Sequence, residues 1–316
     1  MRRNLAALLF IIVLFAGVGL YEPRFLAPRS LDSILLWMPI ITVLALGQLL
    51  VVISGGIDIS IGSILGCSGI AVGLLLKEQP AMPVSLALGL GLLVGLLLGM
   101  VNTAIITWGK VAPLLVTIGT LAAFRGLCFL LSKGDQIDSS MIPDGLTALA
   151  RNGISAGEVT FSWLLIIALT VACLFAFGLS YFVGAKNLLA FGSNPTASHL
   201  RGISGNAVTF WVYAISGAVA GLGGVMYAAR FGFVSPSSAG HGLELTVIAA
   251  VAIGGAKLTG GFGNVTGTLL GCFLLSSINV ALSVLGIDAN WQLLAYGTVI
   301  LIAVLVDGIS RRRAIA

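Results

Sequence analysis

The sequence Ser54-Gly55-Gly56-Ile57-Asp58-Ile59-Ser60-Ile61-Gly62-Ser63 lies between two long apolar runs, where hydropathy alone predicts continuous lipid-buried helix. Every backbone polar group in a bilayer must be satisfied internally, so a break here survives only inside protein or beside water. An acid at the depth of Asp58 is costly and indicates a functional role. The alternative is structural: Gly55-Gly56 forms a turn near the membrane surface and Asp58 caps the next helix. Both interpretations of Asp58 stay open at this point.

The composition of the whole chain is that of a polytopic membrane protein. Of 316 residues, 58% are apolar and only 9% are charged, too few to cover a soluble globule. The 42 glycines fit this class, because helices in lipid pack closely through small residues. Spaced sets such as Gly91/Gly95/Gly99 and Gly217/Gly221 are predicted packing faces. The net charge of +5 is scattered over short loops without an interleaved aromatic and basic face, so nucleic acid is not an expected partner.

Apolar runs of about 20 residues predict an all-α fold with about ten transmembrane helices, some of them short or broken by glycine. No small-residue cleavage site follows the first run, so we interpret it as a retained span rather than a signal peptide. We treat residues 1–316 as a single transmembrane domain. The predicted spans are 5–20, 34–53, 57–76, 84–107, 111–132, 161–183, 207–229, 243–256, 264–285 and 291–307.

The distribution of Lys and Arg predicts that both termini are cytoplasmic, with the tail Arg311-Arg312-Arg313 as the strongest support. In this topology residues 133–160 form a periplasmic loop, which is either a docking surface for a soluble partner or a solvated connector. Residues 184–206 form a cytoplasmic loop. Within it, Ser193 or Asn194 is expected to cap a short helix that has a proline in its first turn and that stops at Gly202.

Several polar and aromatic side chains inside the predicted spans are candidates for a transport path. The neutral amides have an alternative role in interhelical hydrogen bonds, each worth about 1 kcal/mol in a membrane. The aromatic rings are able to stack on the ring of a bound solute, although interfacial or packing roles are more common. The polar candidates are Gln48, Asn102, Arg125, Glu244 and Asn279, and the aromatic ones are Trp37, Phe124, Phe129, Trp211 and Phe231.

Glycine-broken apolar segments in both halves of a chain are typical of a transport site, and here they are 54–63 and 254–267. Both segments fall on the cytoplasmic side of the predicted topology, so we interpret them as a reused glycine hinge rather than as an inverted repeat. The hinge glycines of the first segment recur at a constant spacing in the second: Gly55, Gly56, Gly62 and Gly66 recur as Gly260, Gly261, Gly267 and Gly271.

The sequence contains no pattern for a metal site or for nucleotide binding. The four cysteines lie in different apolar spans without paired spacing, which predicts small buried side chains that are far apart. The two histidines, His199 and His241, are separated by membrane, so no metal site is expected. No phosphate-binding glycine loop of the Gly-x-x-x-x-Gly-Lys-Ser/Thr type occurs. We therefore expect no cofactor in this chain, and any ATP must bind a partner subunit.

Three motifs in this order resemble the permease subunits of ribose-type ATP-binding-cassette importers, a family that includes permeases for arabinose, galactose, allose and autoinducer-type furanoses. The resemblance extends over essentially the whole chain. The motifs are Ser54 to Ser63 as quoted above, Phe191-Gly192-Ser193-Asn194-Pro195-Thr196-Ala197-Ser198-His199-Leu200-Arg201-Gly202-Ile203, and Gly254-Gly255-Ala256-Lys257-Leu258-Thr259-Gly260-Gly261-Phe262-Gly263-Asn264-Val265-Thr266-Gly267-Thr268.

The resemblance implies a bacterial inner-membrane permease that works with nucleotide-binding ATPase subunits, a second permease copy or paralogue, and a periplasmic binding protein that delivers a monosaccharide. The family's coupling helix carries a Gly-x-Asn-x-x-Ala pattern, which falls here on Gly192, Asn194 and Ala197, with Gly202 closing it. The sequence departs from the family at Ser198 and His199. The family's Gly-Gly-Ile-Asp-x-Ser-x-Gly motif implies that Gly55, Gly56, Asp58 and Ser60 lie near the translocation path or at the helix break beside it. They join the candidates Gln48, Asn102 and Asn279.

Three other functions compete with this one. A branched-chain amino-acid permease of the same superfamily would need charges in its path that pair with a zwitterion, and such charges are scarce here. An ion-coupled secondary transporter would use Asp58 or Glu244 as its ion site and would need no ATPase. A membrane-embedded enzyme would need a converging cluster of histidine, acid or metal ligands, which the sequence does not contain.

Overall fold

The computed structural model describes residues 2–288 and the single positions 291, 294, 297, 298 and 301. The helices are α1 (Arg2–Tyr21), α2 (Pro28–Ile53), α3 (Ile61–Glu78), α4 (Val84–Gly109), α5 (Pro113–Ser132), α6 (Asp144–Arg151), α7 (Trp163–Tyr181), α8 (Val183–Ser193), α9 (Pro195–Leu200), α10 (Gly205–Phe231), α11 (Leu243–Ile253) and α12 (Val265–Val284). Two strands, β1 (Gly153–Ala156) and β2 (Val159–Ser162), form an antiparallel hairpin.

The predicted all-α membrane fold is confirmed. Within the described residues seven helices are long and apolar enough to cross a membrane, namely α2, α3, α4, α5, α7, α10 and α12. The predicted span at 243–256 is α11, which has only 11 residues. The predicted span 291–307 lies outside the described residues apart from single positions, and the tail Arg311-Arg312-Arg313 lies wholly outside them.

Three predicted segments differ in form from the structure. The span placed at 57–76 begins only at Ile61, because the chain remains non-helical through the break. Much of the predicted loop 184–206 is helical, since α8 continues to Ser193 before α9 begins. The segment 133–160 contains α6 and most of the β-hairpin, and the backbone N–H of Thr160 donates to Asp32 Oδ1 of α2 (2.9 Å). This segment therefore has secondary structure of its own and is hydrogen-bonded to α2.

The core of the described chain is built around α2, α3 and α10, most of whose residues are buried. The glycines predicted as packing faces on α4 and α10 meet each other. A Cβ added at Gly95 would lie 2.6 Å from the backbone nitrogen of Gly221 and would also contact the carbonyl oxygen of Gly217. Helices approach this closely only where side chains are absent.

The cysteines are less dispersed than the sequence predicts. Cys67 on α3 and Cys128 on α5 are buried and their thiols lie next to each other. Cys272 is buried, as expected, whereas Cys173 on α7 is exposed. Spacing along the chain did not reveal the first pair because α3 and α5 are brought together only by tertiary packing.

Candidate functional site: a buried polar cluster beside a glycine junction

The break after α2 begins with a glycine that closes the helix. Ser54 N–H and Gly56 N–H donate to the carbonyl oxygens of Leu50 and Val51 (both 3.0 Å), and Gly55 lies between them with φ +86°. A left-handed residue at this position satisfies the last carbonyl groups of a helix, and glycine adopts it without strain. The chain then turns back and α3 begins at Ile61.

Asp58 sits inside this break and is completely buried. Its Oδ1 atom accepts hydrogen bonds from the backbone N–H (2.9 Å) and the hydroxyl (2.6 Å) of Ser60. Its Oδ2 atom accepts from the hydroxyl of Ser216 on α10 (3.4 Å). The amide nitrogen of Asn102 on α4 donates in turn to the Ser60 hydroxyl (2.8 Å). Separate parts of the chain therefore meet in one hydrogen-bonded cluster.

The side chain of Gln48 satisfies the backbone that the break leaves open. In the amide orientation that suits both of its polar atoms, it donates to the Asp58 carbonyl oxygen (3.1 Å) and accepts from the Asp58 N–H (3.2 Å). An unwound backbone at membrane depth must find such partners within the protein. Gln48 supplies them from α2, and it is itself fully buried.

These contacts bring together four of the seven pathway candidates. We name Gln48, Asp58, Ser60 and Asn102, with Ser216, the polar cluster. All five are fully buried, so none of them faces open space in this conformation. The capping role considered for Asp58 is not present in that form, because the N-cap of α3 is Ser60; the Asp58 carboxylate instead accepts the N–H of Ser60 and supports the chain just before the helix.

The other candidates lie around the cluster or away from it. Gly55 and Gly56 form the break itself, and a Cβ at Gly56 would lie 2.6 Å from the Tyr213 hydroxyl. Asn279 is half-buried on α12. The hydrogen bonds of the polar cluster given above come from α2, α4, α10 and the break itself. Sequence reasoning missed Ser216 and Tyr213, since both sit in an unbroken helix with no motif around them.

Arg125 and Glu244 are the two charged residues noted within apolar runs. Both side chains bond to backbone groups of the segment that leads into α11. Arg125 Nη1 donates to the carbonyl oxygen of Ala239 (2.6 Å). Glu244 is buried in the first turn of α11, and its Oε1 atom accepts from the N–H of Gly242 (3.3 Å). Neither side chain is bonded to a residue of the polar cluster. Arg125 thus finds the partner that a charge at this depth requires, in a backbone carbonyl.

The second glycine break repeats the first helix ending. Gly254 N–H donates to Ala250 and Ala256 N–H donates to Val251 (2.9 and 3.2 Å), with Gly255 at φ +85° between them. The residue equivalent to Gly55 is therefore Gly255. The spacing noted in the sequence, which pairs Gly55 with Gly260, does not match the helix endings.

Both breaks touch each other and the end of α8. Gly261 N–H donates to the carbonyl oxygen of Ile53 (2.8 Å), which joins the second break to the end of α2. A Cβ at Gly260 would lie 2.6 Å from the carbonyl oxygen of Gly192 and 3.0 Å from Gly55 Cα. We name Ile53, Gly55, Gly192, Gly260 and Gly261 the glycine junction. Its contacts are between backbones and leave no room for side chains.

The helix α9 follows directly from this junction. Asn194 caps it, as predicted, by accepting from the N–H of Ala197 (3.0 Å), and Pro195 is its first residue. Gly202, with φ +79°, follows the helix and turns the chain toward α10. Gly192 is buried in the junction, whereas Asn194 and Ala197 are exposed. Of the four residues predicted for ATPase coupling, Gly192 is therefore buried, whereas Asn194, Ala197 and Gly202 lie on the surface.

Comparison with known proteins identifies the class of molecule that carries this arrangement. The family model described as branched-chain amino acid transport system / permease component matches residues 30–304, a range that includes both breaks and α9. The chain belongs to this permease family. No solved structure matches the chain. Together with the seven apolar helices of the described residues, the family makes this a multi-pass membrane permease.

Curated relatives cover nearly the whole chain. The autoinducer 2 import system permease protein LsrC of Photorhabdus luminescens is 32% identical over 306 residues, 97% of this chain and 90% of the relative. The protein of the same name from Escherichia coli (strain K12 / DH10B) is 31% identical over 306 residues, 97% of this chain and 87% of the relative. That from Yersinia pseudotuberculosis serotype O:1b (strain IP 31758) is 32% identical over 310 residues, 97% of this chain and 85% of the relative.

Proposed function

We propose that this chain is the membrane subunit of an ATP-driven importer that carries a sugar-like solute across a bacterial inner membrane. The names of the curated relatives support a solute of the autoinducer 2 kind. In this proposal ATP binds to separate nucleotide-binding subunits, so the chain itself carries no cofactor. A second permease copy or paralogue completes the path, and a periplasmic binding protein delivers the solute to the face opposite α9, with both termini in the cytoplasm.

The glycine junction is the observation that carries this proposal. An ATPase subunit that binds the exposed surface of α9 would move Gly192. This residue contacts Ile53 at the end of α2 and Gly261 in the second break. Because these are contacts between backbones, no flexible side chain absorbs the displacement. Movement of α9 is therefore passed to the ends of both α2 and α11.

The polar cluster is the part of the path that this movement would open. A polar solute cannot cross hydrocarbon without hydrogen-bonding partners, because each unsatisfied polar group costs several kcal/mol there. Gln48, Asp58, Ser60 and Asn102 supply donors and acceptors beside the break, and all are buried in the described conformation. We infer that the described state is closed at this level, and that Gly55 and Gly56 allow the break to shift when α9 moves.

The description of the family model favours a branched-chain amino acid as a second candidate solute. Such a zwitterion needs a positive group for its carboxylate and a negative group for its ammonium. The polar cluster holds one acid and no Lys or Arg, and the acid is already bonded by Ser60 and Ser216. A neutral solute therefore suits the cluster better.

The test is co-purification together with uptake. The tagged chain is expressed with its candidate ATPase, permease and binding-protein partners, and uptake of labelled autoinducer 2, D-ribose and L-leucine is measured. Ala197→Arg places a bulky cation on the exposed face of α9, while Gly184→Arg does so on the exposed part of α8, where nothing lies within 4 Å.

We expect an ATPase to co-purify with the wild-type chain, and we expect the assembled complex to import the sugar-like solute. Ala197→Arg should lose both properties, and Gly184→Arg should keep both. Leucine uptake without sugar uptake would establish the second candidate. Transport by the purified chain alone, driven by an ion gradient without ATP, would refute the importer altogether.

A further inference from the structure

A polar cavity lies at the end of the molecule opposite the glycine junction. Its volume is about 420 Å³, and its walls come from α2, α6, β2 and the last turn of α10. Because α10 has 27 residues, it is about 40 Å long and places this cavity far from α9, where the helix begins. Its main residues are Asp32, Thr147, Arg151, Thr160, Arg230 and Phe231, which we name the arginine pocket.

Three charged side chains line the arginine pocket without pairing with one another. Asp32 Oδ1 accepts from the backbone N–H of Thr160 (2.9 Å). Arg230 reaches in from the last turn of α10, and its Nε atom is buried without a hydrogen-bond partner among the described residues. Arg151 contributes from the end of α6. No ion pair within 4 Å joins the acid to either arginine, although all three are described. Because this nitrogen is enclosed by protein, the donors left for a ligand are the terminal guanidinium nitrogens of the two arginines.

An aromatic ring forms a further part of the pocket wall. Phe231 lies beside Arg230, whose guanidinium carbon is 5.5 Å from the ring centroid. The ring is held on its other sides by Tyr227 and Trp37, with centroid distances of 4.4 and 5.5 Å. The ring therefore holds the guanidinium group of Arg230 at the pocket wall rather than offering a free face to a ligand.

This set of groups selects a neutral polyhydroxylated molecule. A carboxylate oxygen accepts hydroxyl hydrogens, and guanidinium groups donate to hydroxyl oxygens. A charged ligand would be repelled by one part of this set, Asp32 for an anion and the two arginines for a cation, whereas a neutral polyhydroxylated ligand is able to bond to all three side chains. The cavity also falls within the roughly 300–1,000 Å³ that is usual for small-molecule sites.

We propose that the arginine pocket is a binding site for a neutral polyhydroxylated solute at the face where the solute enters. This inference rests on the proposed function, since it assigns the sugar-like solute a first site. The pocket is separate from the polar cluster: Ser216 and Arg230 are about 14 residues apart on α10, which corresponds to about 21 Å. The solute therefore meets two polar sites along α10, first the arginine pocket and then the polar cluster.

The experiment measures binding to the full chain alone. The chain in lipid nanodiscs, without ATPase or binding protein, is titrated with D-ribose, with autoinducer 2 and with acetate, and ligand contact is followed by saturation-transfer NMR. The test variants are Arg230→Gln and Asp32→Asn. Both remove a charge; Arg230→Gln also shortens the side chain, and Asp32→Asn keeps its size and an acceptor oxygen for the N–H of Thr160. The matched control is Arg29→Gln, an exposed arginine of α2 outside the pocket.

We expect a saturable signal from at least one sugar-like ligand, a fall of at least about fivefold in both test variants, and no change in Arg29→Gln. Thermal midpoints equal to that of the control show that the variants are folded. No saturable sugar signal, or equal binding by both variants and the wild type, overturns the inference. Saturable binding of acetate without binding of sugars also overturns it, since it identifies an anion site suited to an acidic side chain of a partner. Uptake by the complete importer tests the proposed function separately: if the wild-type importer takes up the solute but the chain alone shows no saturable sugar signal, only the arginine pocket is excluded.

Discussion

Replacement of Gly192 by alanine is the sharpest test of the glycine junction. The new Cβ would lie 2.7 Å from the backbone nitrogen of Gly261 and 2.9 Å from the carbonyl carbon of Ile53, and closer still to the Ile53 oxygen. All three neighbours are backbone atoms, so the clash is relieved only by moving α8 away from both breaks. Overpacking of this kind costs about 1–3 kcal/mol. That energy corresponds to about a 5–150-fold change in the population of the packed junction.

The assay separates assembly from coupling. Gly192→Ala leaves the exposed surface of α9 unchanged, so we expect co-purification with the ATPase to remain within about twofold of wild type. Solute-dependent stimulation of ATP hydrolysis and uptake should fall by about tenfold or more, since about 1.4 kcal/mol is a factor of ten. The matched control is Gly184→Ala on the same helix, where the added Cβ has nothing within 4 Å.

Two results would refute this reasoning. If Gly192→Ala keeps full uptake and the thermal stability of the control, the backbone contacts of the junction are not required for coupling. If it loses uptake together with all association with the ATPase, the substitution has damaged the docking surface, and the junction has not been shown to transmit movement.

The remaining predictions concern packing and the polar cluster. Asp58→Ala should destabilise the chain by about 1–3 kcal/mol for each buried donor left without an acceptor; a thermal midpoint equal to that of wild type would contradict the buried network. Gly95→Ala should lower the thermal midpoint, because the α4 and α10 backbones are in contact there, whereas Gly89→Ala, with nothing within 4 Å, should not. Mild oxidation with copper phenanthroline should join Cys67 to Cys128, detectable by mass spectrometry of the linked peptides; absence of this link under conditions that oxidise other thiols would contradict the packing of α3 on α5.

Local patterns in the sequence predicted the elements that depend on local chemistry. The apolar runs located the long helices to within a few residues at most ends, because the bilayer imposes a fixed length on each crossing. Asn194 and Pro195 predicted the start of α9, since a cap acts within a single turn. The main local errors came from β2 and from α8, where short segments carry weak patterns.

The candidate site was predicted in part for the same reason. Gln48, Asp58 and Asn102 were noticed because each is a polar residue in or beside an apolar run, and Ser60 was noticed because it belongs to the motif that resembles the permease family. The sequence did not show that they bond to one another, nor that Ser216 completes the cluster. It also paired Gly55 with the wrong glycine, because many spacings repeat by chance in a chain with 42 glycines.

By itself, the sequence therefore determined the membrane class, most helix positions and the permease family, all of which follow from composition and from motifs within short stretches. Only the tertiary structure decided that both glycine breaks meet Gly192, that the polar cluster is closed, and that Asp32, Arg151 and Arg230 line one pocket. These are contacts between residues far apart in the chain. They depend on how the helices pack against one another through glycine, and no pattern within one helix specifies which glycines meet.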